Sequence, residues 1–334
     1  MFDLMALNIL VVGGAGYIGS HMVKRLGAAG AEVVTVDNLV SGHRDAVLGG
    51  EFVHGDIADR GLLERLFASR RFDAVMHFAS HIEVGESVRQ PAKHYRNNVA
   101  HTLTLLEAMI AAKVERFIFS STAAIFGTPE YTPIDEHHPR APINPYGRTK
   151  NMIEQVLADL DHAHGLRAVC LRYFNAAGAD PTGVLGERHD PESHLIPLTL
   201  QAASGRRPSI AVFGTDYDTP DGTCIRDYVH VADLCEAHWL ALQSLMAGEA
   251  SAQYNLGNGD GFSVLQVIDT VRQVTGRDFV VKHEARRSGD PPRLVADSGA
   301  ARARLGWKPQ FPALDTIVEH AWNFEQRAGN LARR

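Results

Sequence analysis

Cysteine is scarce, with three in 334 residues. Cys170, Cys224 and Cys235 are odd in number, widely spaced and form no CxxC pair. That argues against a disulfide framework or a cysteine zinc site and suits a reducing compartment. Long apolar runs are missing as well, since no stretch approaches the about 18 residues that cross a bilayer. Met1 to Leu7 is too short for a secretory signal and leads almost directly into an apolar strand, so a cytoplasmic protein without membrane contact is expected. Positive charge is outnumbered, 33 Lys and Arg against 39 Asp and Glu, and no basic stripe breaks the net charge of -6. This balance argues against a nucleic-acid footprint and points to a small-molecule partner. The seventeen histidines include no HExxH and no paired Cys/His spacing. His137-His138 and His162-Ala163-His164 therefore read as solvated or structural, His77 as a core residue, and no metal is expected. Repeats, low-complexity tracts and Pro/Gly/Ser linkers are also absent, so two unequal lobes sharing one cleft are expected rather than separate modules.

What is present is a regular alternation of strands and helices. Asn8 to Val12 is a continuous apolar run, as in a strand buried on both faces of a parallel sheet. A helix is predicted over Tyr17 to Ala29 and a second strand over Glu32 to Val36, ending at Asp37. The pattern continues with a helix near Gly61 to Ser69, a strand at Ala74 to Phe78, a long helix near Ala92 to Ala112 and a strand at Arg116 to Ser120. Pro145 suits the first turn of a helix carrying Tyr146, Lys150, Ile153 and Leu157, and Arg167 to Leu171 reads as another strand. At least six parallel strands with helices on both faces follow. Beyond Asn175, Gly- and Pro-bearing loops separate shorter elements and suit a substrate lobe.

Gly13-Gly14-Ala15-Gly16-Tyr17-Ile18-Gly19 satisfies both GxxGxxG and GxGxxG at a strand-to-helix junction. Such a helix N-terminus can face a pyrophosphate, and the glycines let the backbone come close to it. Glycine is also an ordinary turn residue, so the context carries the reading. Asp37, 18 residues past Gly19, stands where a carboxylate accepts from the adenosine ribose hydroxyls and repels a 2'-phosphate. The reading is a Rossmann-type doubly wound α/β domain holding NAD, with His43 and Arg44 leaving room for some NADP use.

Tyr146 and Lys150 are four apart and share one helix face. A tyrosine acting as a base near neutrality needs its pKa of ~10 lowered by roughly three units, about 4 kcal/mol. The Lys150 ammonium and an oxidised nicotinamide are expected to supply that shift. Ser120, Ser121 and Thr122 close a strand at the sheet edge where open α/β folds bind ligands. Small hydroxyl residues also end strands for local reasons, an equal reading for Ser120 and Ser121, whereas Thr122 gains weight from Tyr146 and Lys150.

With these features together, the chain resembles the extended short-chain dehydrogenase/reductases and, within them, the UDP-glucose 4-epimerases. The resemblance runs nearly end to end, through Asp37-Asn38-Leu39, Gly55-Asp56-Ile57, His77-Phe78-Ala79, Asn97-Asn98-Val99, Tyr146-Gly147-Arg148-Thr149-Lys150, Arg172-Tyr173-Phe174-Asn175, Arg226-Asp227-Tyr228 and Arg286-Arg287-Ser288-Gly289-Asp290. It implies an NAD-binding domain over residues 1–178, with a return segment near 223–247, and a smaller α/β substrate-binding lobe over 179–334. NAD would be held by Gly13, Gly16, Tyr17, Ile18, Gly19, Asp37, Asn38 and Leu39, by Asp56, Ile57, Phe78, Ala79, Ser80 and Asn97, and by Thr122, Tyr146, Lys150 and Phe174. Thr122 would bind the sugar 4-hydroxyl, Tyr146 would exchange its proton, and Lys150 would hold the nicotinamide ribose. Asn175, His194, Leu195, Phe213, Arg226, Arg287 and Asp290 match positions around the nucleotide diphosphate, and two arginines are natural phosphate partners, although either could be plain surface charge.

The implied activity interconverts UDP-glucose and UDP-galactose through a 4-keto sugar, in an isomerase that dimerises through the helices near Ala92 to Ala112 and Tyr146 to Leu160. Three departures stand out. Ile82 replaces a frequent lysine, removing one polar contact to NAD; His194 replaces a frequent asparagine and either donates to the diphosphate or fills space; Leu294 stands at the position that helps admit or exclude an N-acetyl group, leaving UDP-N-acetylhexosamine open as a substrate. A 4,6-dehydratase would need an acid and a base after the threonine, where this chain has Ala123 and Ala124. A non-catalytic NAD-binding protein would be expected to have lost Tyr146 and Lys150.

Overall fold

The computed structural model describes residues 7–287 and 289–331. The leader reading of residues 1–6, Ser288 in the matched run and the last three residues of the expected second lobe lie outside them.

Alternating burial of consecutive apolar residues organises the centre. In β1 (Asn8–Val12), Ile9 and Val11 face one core and Leu10 and Val12 the other, all essentially without exposure. Both faces of a parallel strand need such covering. Around it stand β2 (Glu32–Asp37), β3 (Glu51–His54), β4 (Ala74–His77), β5 (Arg116–Thr122), β6 (Arg167–Tyr173) and β7 (Ala252–Leu256). They form one parallel sheet in the order β7-β6-β5-β4-β1-β2-β3. This is the Rossmann-type doubly wound arrangement, and its strand order reverses between β1 and β4, where a crevice opens at the strand C-termini. One core packs helix α1 (Tyr17–Ala28) and the later helix Val231–Met246 on the sheet, with Met22, Leu26, Leu234, Leu242 and Trp307. The other packs Leu105, Met109, Ile153 and Leu157 on Phe117 and Phe119.

The expected long helix near Ala92 to Ala112 is realised as Pro91–Tyr95, a π-helical segment Arg96–His101 and Thr102–Ala111. Wide turns of this kind recur at functional sites, and here the departure has a local cause. Asn97 and Asn98 both accept from the His81 N–H, at 3.2 and 2.9 Å, and Asn98 also donates to His81 O and to Thr149. The π-segment thereby pins the loop after β4 to the helix that carries Tyr146.

After β6 the chain leaves the sheet. Helix Leu195–Ala203, helix Val264–Thr275 and helix Leu314–Leu331 pack around Leu200, Val267, Val271 and Ile317. Short strand pairs, including Ile210–Phe213 with Val281–Glu284, complete this smaller lobe. The chain returns to the large sheet through Val231–Met246 and then β7, which pairs with β6.

Candidate active site

The glycine loop is tight because other backbone occupies the space a side chain would need. A Cβ on Gly13, at φ +80°, would lie 2.4 Å from Ala79 N, and one on Gly19 would lie 2.1 Å from Gly13 O. Gly16 begins α1 with no side-chain cap, so first-turn N–H groups face the crevice, the usual setting for a phosphate. Asp37 closes the loop: its carboxylate accepts from Ala15 N at 2.9 Å and Leu39 N at 2.8 Å, with lone pairs left for ribose hydroxyls.

At the C-terminal end of β5, Thr122 accepts from Ala124 N through its hydroxyl and is hydrogen-bonded to Tyr146. Asn144 caps the helix Pro145–His164 by accepting from Gly147 N, which fixes where Tyr146 leaves the first turn. Lys150, one turn on, donates to Ser120 O at 2.9 Å, and its ammonium lies 5.9 Å from the Tyr146 ring centroid. Burial pushes the Tyr146 hydroxyl up to about 12, opposed by the Thr122 hydrogen bond, and pushes Lys150 down to about 7. In the chain alone, desolvation of the phenolate sets that direction, whereas the expected lowering draws on Lys150 and an oxidised nicotinamide together and so belongs to the NAD-bound protein.

The two neighbouring serines separate. Ser121 is buried and donates to Glu154 at 2.6 Å; Arg172, without exposure, grips the same carboxylate through Nε at 3.0 Å and Nη2 at 2.7 Å. The Ser121 hydroxyl thus holds strand to helix, while the residue itself lines the cleft. Ser120 is tied to Tyr173, whose hydroxyl is hydrogen-bonded to His238 Nε2. His238 Nδ1 meets Leu234 O at 2.8 Å, so Nε2 is the acceptor and Tyr173 the donor. Tyr173 and His238 were not among the sequence candidates; 65 residues separate them in the chain, so no local pattern shows the pairing.

One cleft of about 750 Å³ joins the two lobes. Gly13, Gly16, Tyr17, Ile18, Gly19, Asp37, Asn38, Phe78, Ala79, Ser80, Asn97, Thr122, Tyr146, Lys150 and Phe174 line one part, with Asn175, His194, Leu195, Phe213, Arg226, Arg287 and Asp290 along the other. Ile82 and Leu294 line it too. Leu39, Asp56 and Ile57 do not form its wall: Leu39 and Ile57 pack into the cores, and Asp56 accepts from the Asn38 side-chain amide at 2.7 Å. On the second lobe, Arg226 donates to Pro291 O at 3.0 Å and faces Asp290 at 3.4 Å, while the Arg287 guanidinium stacks 3.7 Å over Phe213. Planar cations held this way present N–H edges to a phosphate. Asp227 stays buried behind them, accepting from the N–H groups of Asn258, Gly259 and Ala296.

The model of the NAD dependent epimerase/dehydratase family matches residues 9–257. A UDP-glucose 4-epimerase of Halalkalibacterium halodurans is 53% identical over 320 residues, 96% of each chain, and one of Rhizobium meliloti is 52% identical over 96% of this chain and 97% of the relative. A solved UDP-glucose 4-epimerase from Brucella ovis in complex with NAD superposes with a TM-score of 0.93 at 50% identity, covering 96% of this chain and 98% of its own. Similarity of this extent, on a crevice with a glycine loop and with Thr122, Tyr146 and Lys150 at one edge, places the chain in the NAD dependent epimerase/dehydratase family.

Proposed function

We propose that the protein interconverts UDP-glucose and UDP-galactose; it is an NAD-dependent isomerase. The observation that carries the mechanism is the meeting of Thr122, Tyr146 and Lys150 at the end of β5, in a cleft whose opposite wall holds Arg226 and Arg287. The glycine loop, the uncapped first turn of α1 and Asp37 suit the pyrophosphate and ribose of NAD, with Phe78, Ala79, Asn97 and Phe174 along the rest. NAD supplies the acceptor for the hydride of sugar carbon 4 and then its donor. Thr122 orients the 4-hydroxyl and Tyr146 takes its proton, which leaves a 4-keto sugar. Lys150, fixed by Ser120 O, would hold the nicotinamide ribose and provide positive charge behind Tyr146. Arg226, Arg287, Asn175 and Leu195 grip the UDP portion while the keto sugar turns over. Tyr146 would then return the proton to the sugar oxygen, and with NAD regenerated in each cycle no external reductant would enter the balance.

The wall after Thr122 supports this over elimination: Ala123 is buried and Ala124 spends its N–H on Thr122, with no acid or base at either position. Two lobes are inferred, residues 1–178 with a return segment near 223–247 on the cofactor side, and 179–334 mainly on the substrate side. A homodimer through the helices near Ala92 to Ala112 and Tyr146 to Leu160 is inferred from the exposed Val84, Val88 and Met152 beside them. No helix among the described residues is long and apolar enough to cross a membrane, and three free buried cysteines suit the cytoplasm.

The test is incubation of the purified protein with UDP-galactose and no added nucleotide, following the sugar anomeric proton by NMR. Conversion to a constant ratio of the two sugars supports the reading. No conversion, even with NAD supplied, refutes it for this substrate.

A further inference from the structure

The loop entering helix Leu195–Ala203 carries a cluster outside the reacting centre. Glu187, His189, Glu192 and His194, spaced E-x-H-x-x-E-x-H, each present one nitrogen or oxygen, and all four atoms lie within 4.8 Å of one another. We propose that these four residues bind a divalent transition-metal ion, Zn²⁺ by ligand class, as a structural clasp for the substrate wall. The reading is independent of the sugar substrate.

Geometry and charge support it. Bonds of ~2.0–2.2 Å to a tetrahedral ion put ligand atoms roughly 3.3 Å apart. His189 Nδ1 stands 3.0 Å from Glu187 Oε1 and 3.8 Å from Glu192 Oε1, and His194 Nδ1 approaches the same Glu187 oxygen. The two carboxylates are 5% exposed and flank the His189 Nδ1 from two sides. Without an ion the carboxylates favour protonated imidazoles, so a dication would bind the four side chains by displacing those ring protons. Mixed imidazole and carboxylate donors favour Zn²⁺ over Mg²⁺ or Ca²⁺, which prefer oxygen alone. Four protein ligands close the coordination, the mark of a structural site.

The placement explains what the ion would do. His189 packs edge-on against Tyr17 of the glycine loop, ring centroids 6.4 Å apart, and the Tyr17 hydroxyl donates to Gly178 O at 2.7 Å. His194 precedes Leu195, which lines the cleft. A metal here links the cofactor wall to the substrate wall through one short loop, leaving His194 Nε2 for the cleft. The sequence reading, which sought HExxH and paired Cys/His spacings, expected no metal and passed over this pattern.

The test uses the full-length protein, stripped with a chelator, dialysed and titrated with Zn²⁺ against a chromophoric competitor, with Co²⁺ as a coordination probe. One tight equivalent per chain and the intense visible bands of tetrahedral Co²⁺ are expected. His189→Gln and Glu192→Gln should each weaken Zn²⁺ by at least ~10- to 100-fold with an unchanged circular dichroism spectrum, while His164→Gln, on an exposed helix end, changes nothing. Absence of stoichiometric binding in the wild type, or affinity unmoved in both cluster variants, overturns the proposal and leaves the four residues as an ion-pair cluster.

Discussion

The two walls of the cleft hold their shape by different means. On the cofactor wall, backbone meets backbone: Gly13 lies against Ala79, Gly19 against Gly13, and strand ends of one continuous sheet set the positions. On the substrate wall, side chains do the positioning, through Asp290 beside Arg226, Phe213 beneath Arg287 and the Glu187 cluster before Leu195. A wall of packed backbone tolerates almost no added atom, whereas a wall of charged side chains on loops tolerates substitution and changes what it recognises. The first suits an invariant dinucleotide, the second a variable sugar nucleotide.

The largest effect expected on this comparison is acid destabilisation centred on the cofactor side. Burial holds His21 at about 4, His77 at about 3 and His238 at about 4. An unfolded histidine titrates near ~6.5, so below that pH the unfolded chain binds more protons and stability falls toward the folded values. Three such groups give a slope approaching about 4 kcal/mol per pH unit, measurable by urea denaturation between pH 7 and pH 5. A flat profile would mean that these rings are charged or solvated.

Tyr146→Phe should lower kcat by ~10² to 10⁴, with NAD content and UDP binding retained. Near-normal turnover would remove Tyr146 from proton transfer. Gly13→Ala should expel NAD and lower the melting temperature, since its Cβ meets Ala79 backbone at 2.4 Å, whereas Gly16→Ala, 3.4 Å from its nearest neighbour, should fold normally. Equal behaviour of the two would break the close-contact account.

On the other wall, Asp227→Ala leaves three buried N–H donors unpaired and should destabilise by at least about 3 kcal/mol in equilibrium denaturation. Arg226→Ala should raise KM for the UDP-sugar by roughly 10-fold, a loss of about 1.5 kcal/mol, with kcat little changed. A fall in kcat at constant KM would move Arg226 from binding to the reaction.

The same contrast governs how much was legible in the sequence. Contiguous motifs gave away the cofactor wall, because a strand, a glycine turn, a helix and an acid eighteen residues on must follow one another along the chain. The hydrophobic runs also marked the five inner strands β1, β2, β4, β5 and β6, since strands buried on both faces are unbroken in apolar residues, whereas the edge strand β3 is half exposed, is bounded by Glu51 and His54, and went unmarked. β7 escaped because Ala252–Leu256 joins the sheet after a long excursion and carries Gln253 and Asn255. The Ser121–Glu154–Arg172 lock and the Tyr173–His238 pair were illegible for a related reason: their partners lie far apart in the chain and meet only across the sheet. The burial that raises Tyr146 in the chain alone was also hidden, because spacing reveals charges and conceals desolvation.

The most direct test of the central claim follows deuterium placed at carbon 4 of UDP-galactose through turnover by the untreated protein in ordinary water. The account predicts that UDP-glucose forms with the deuterium still at carbon 4, because one hydride leaves and returns within a single closed cleft. Loss of the label to solvent, or its transfer to added NAD, would contradict it.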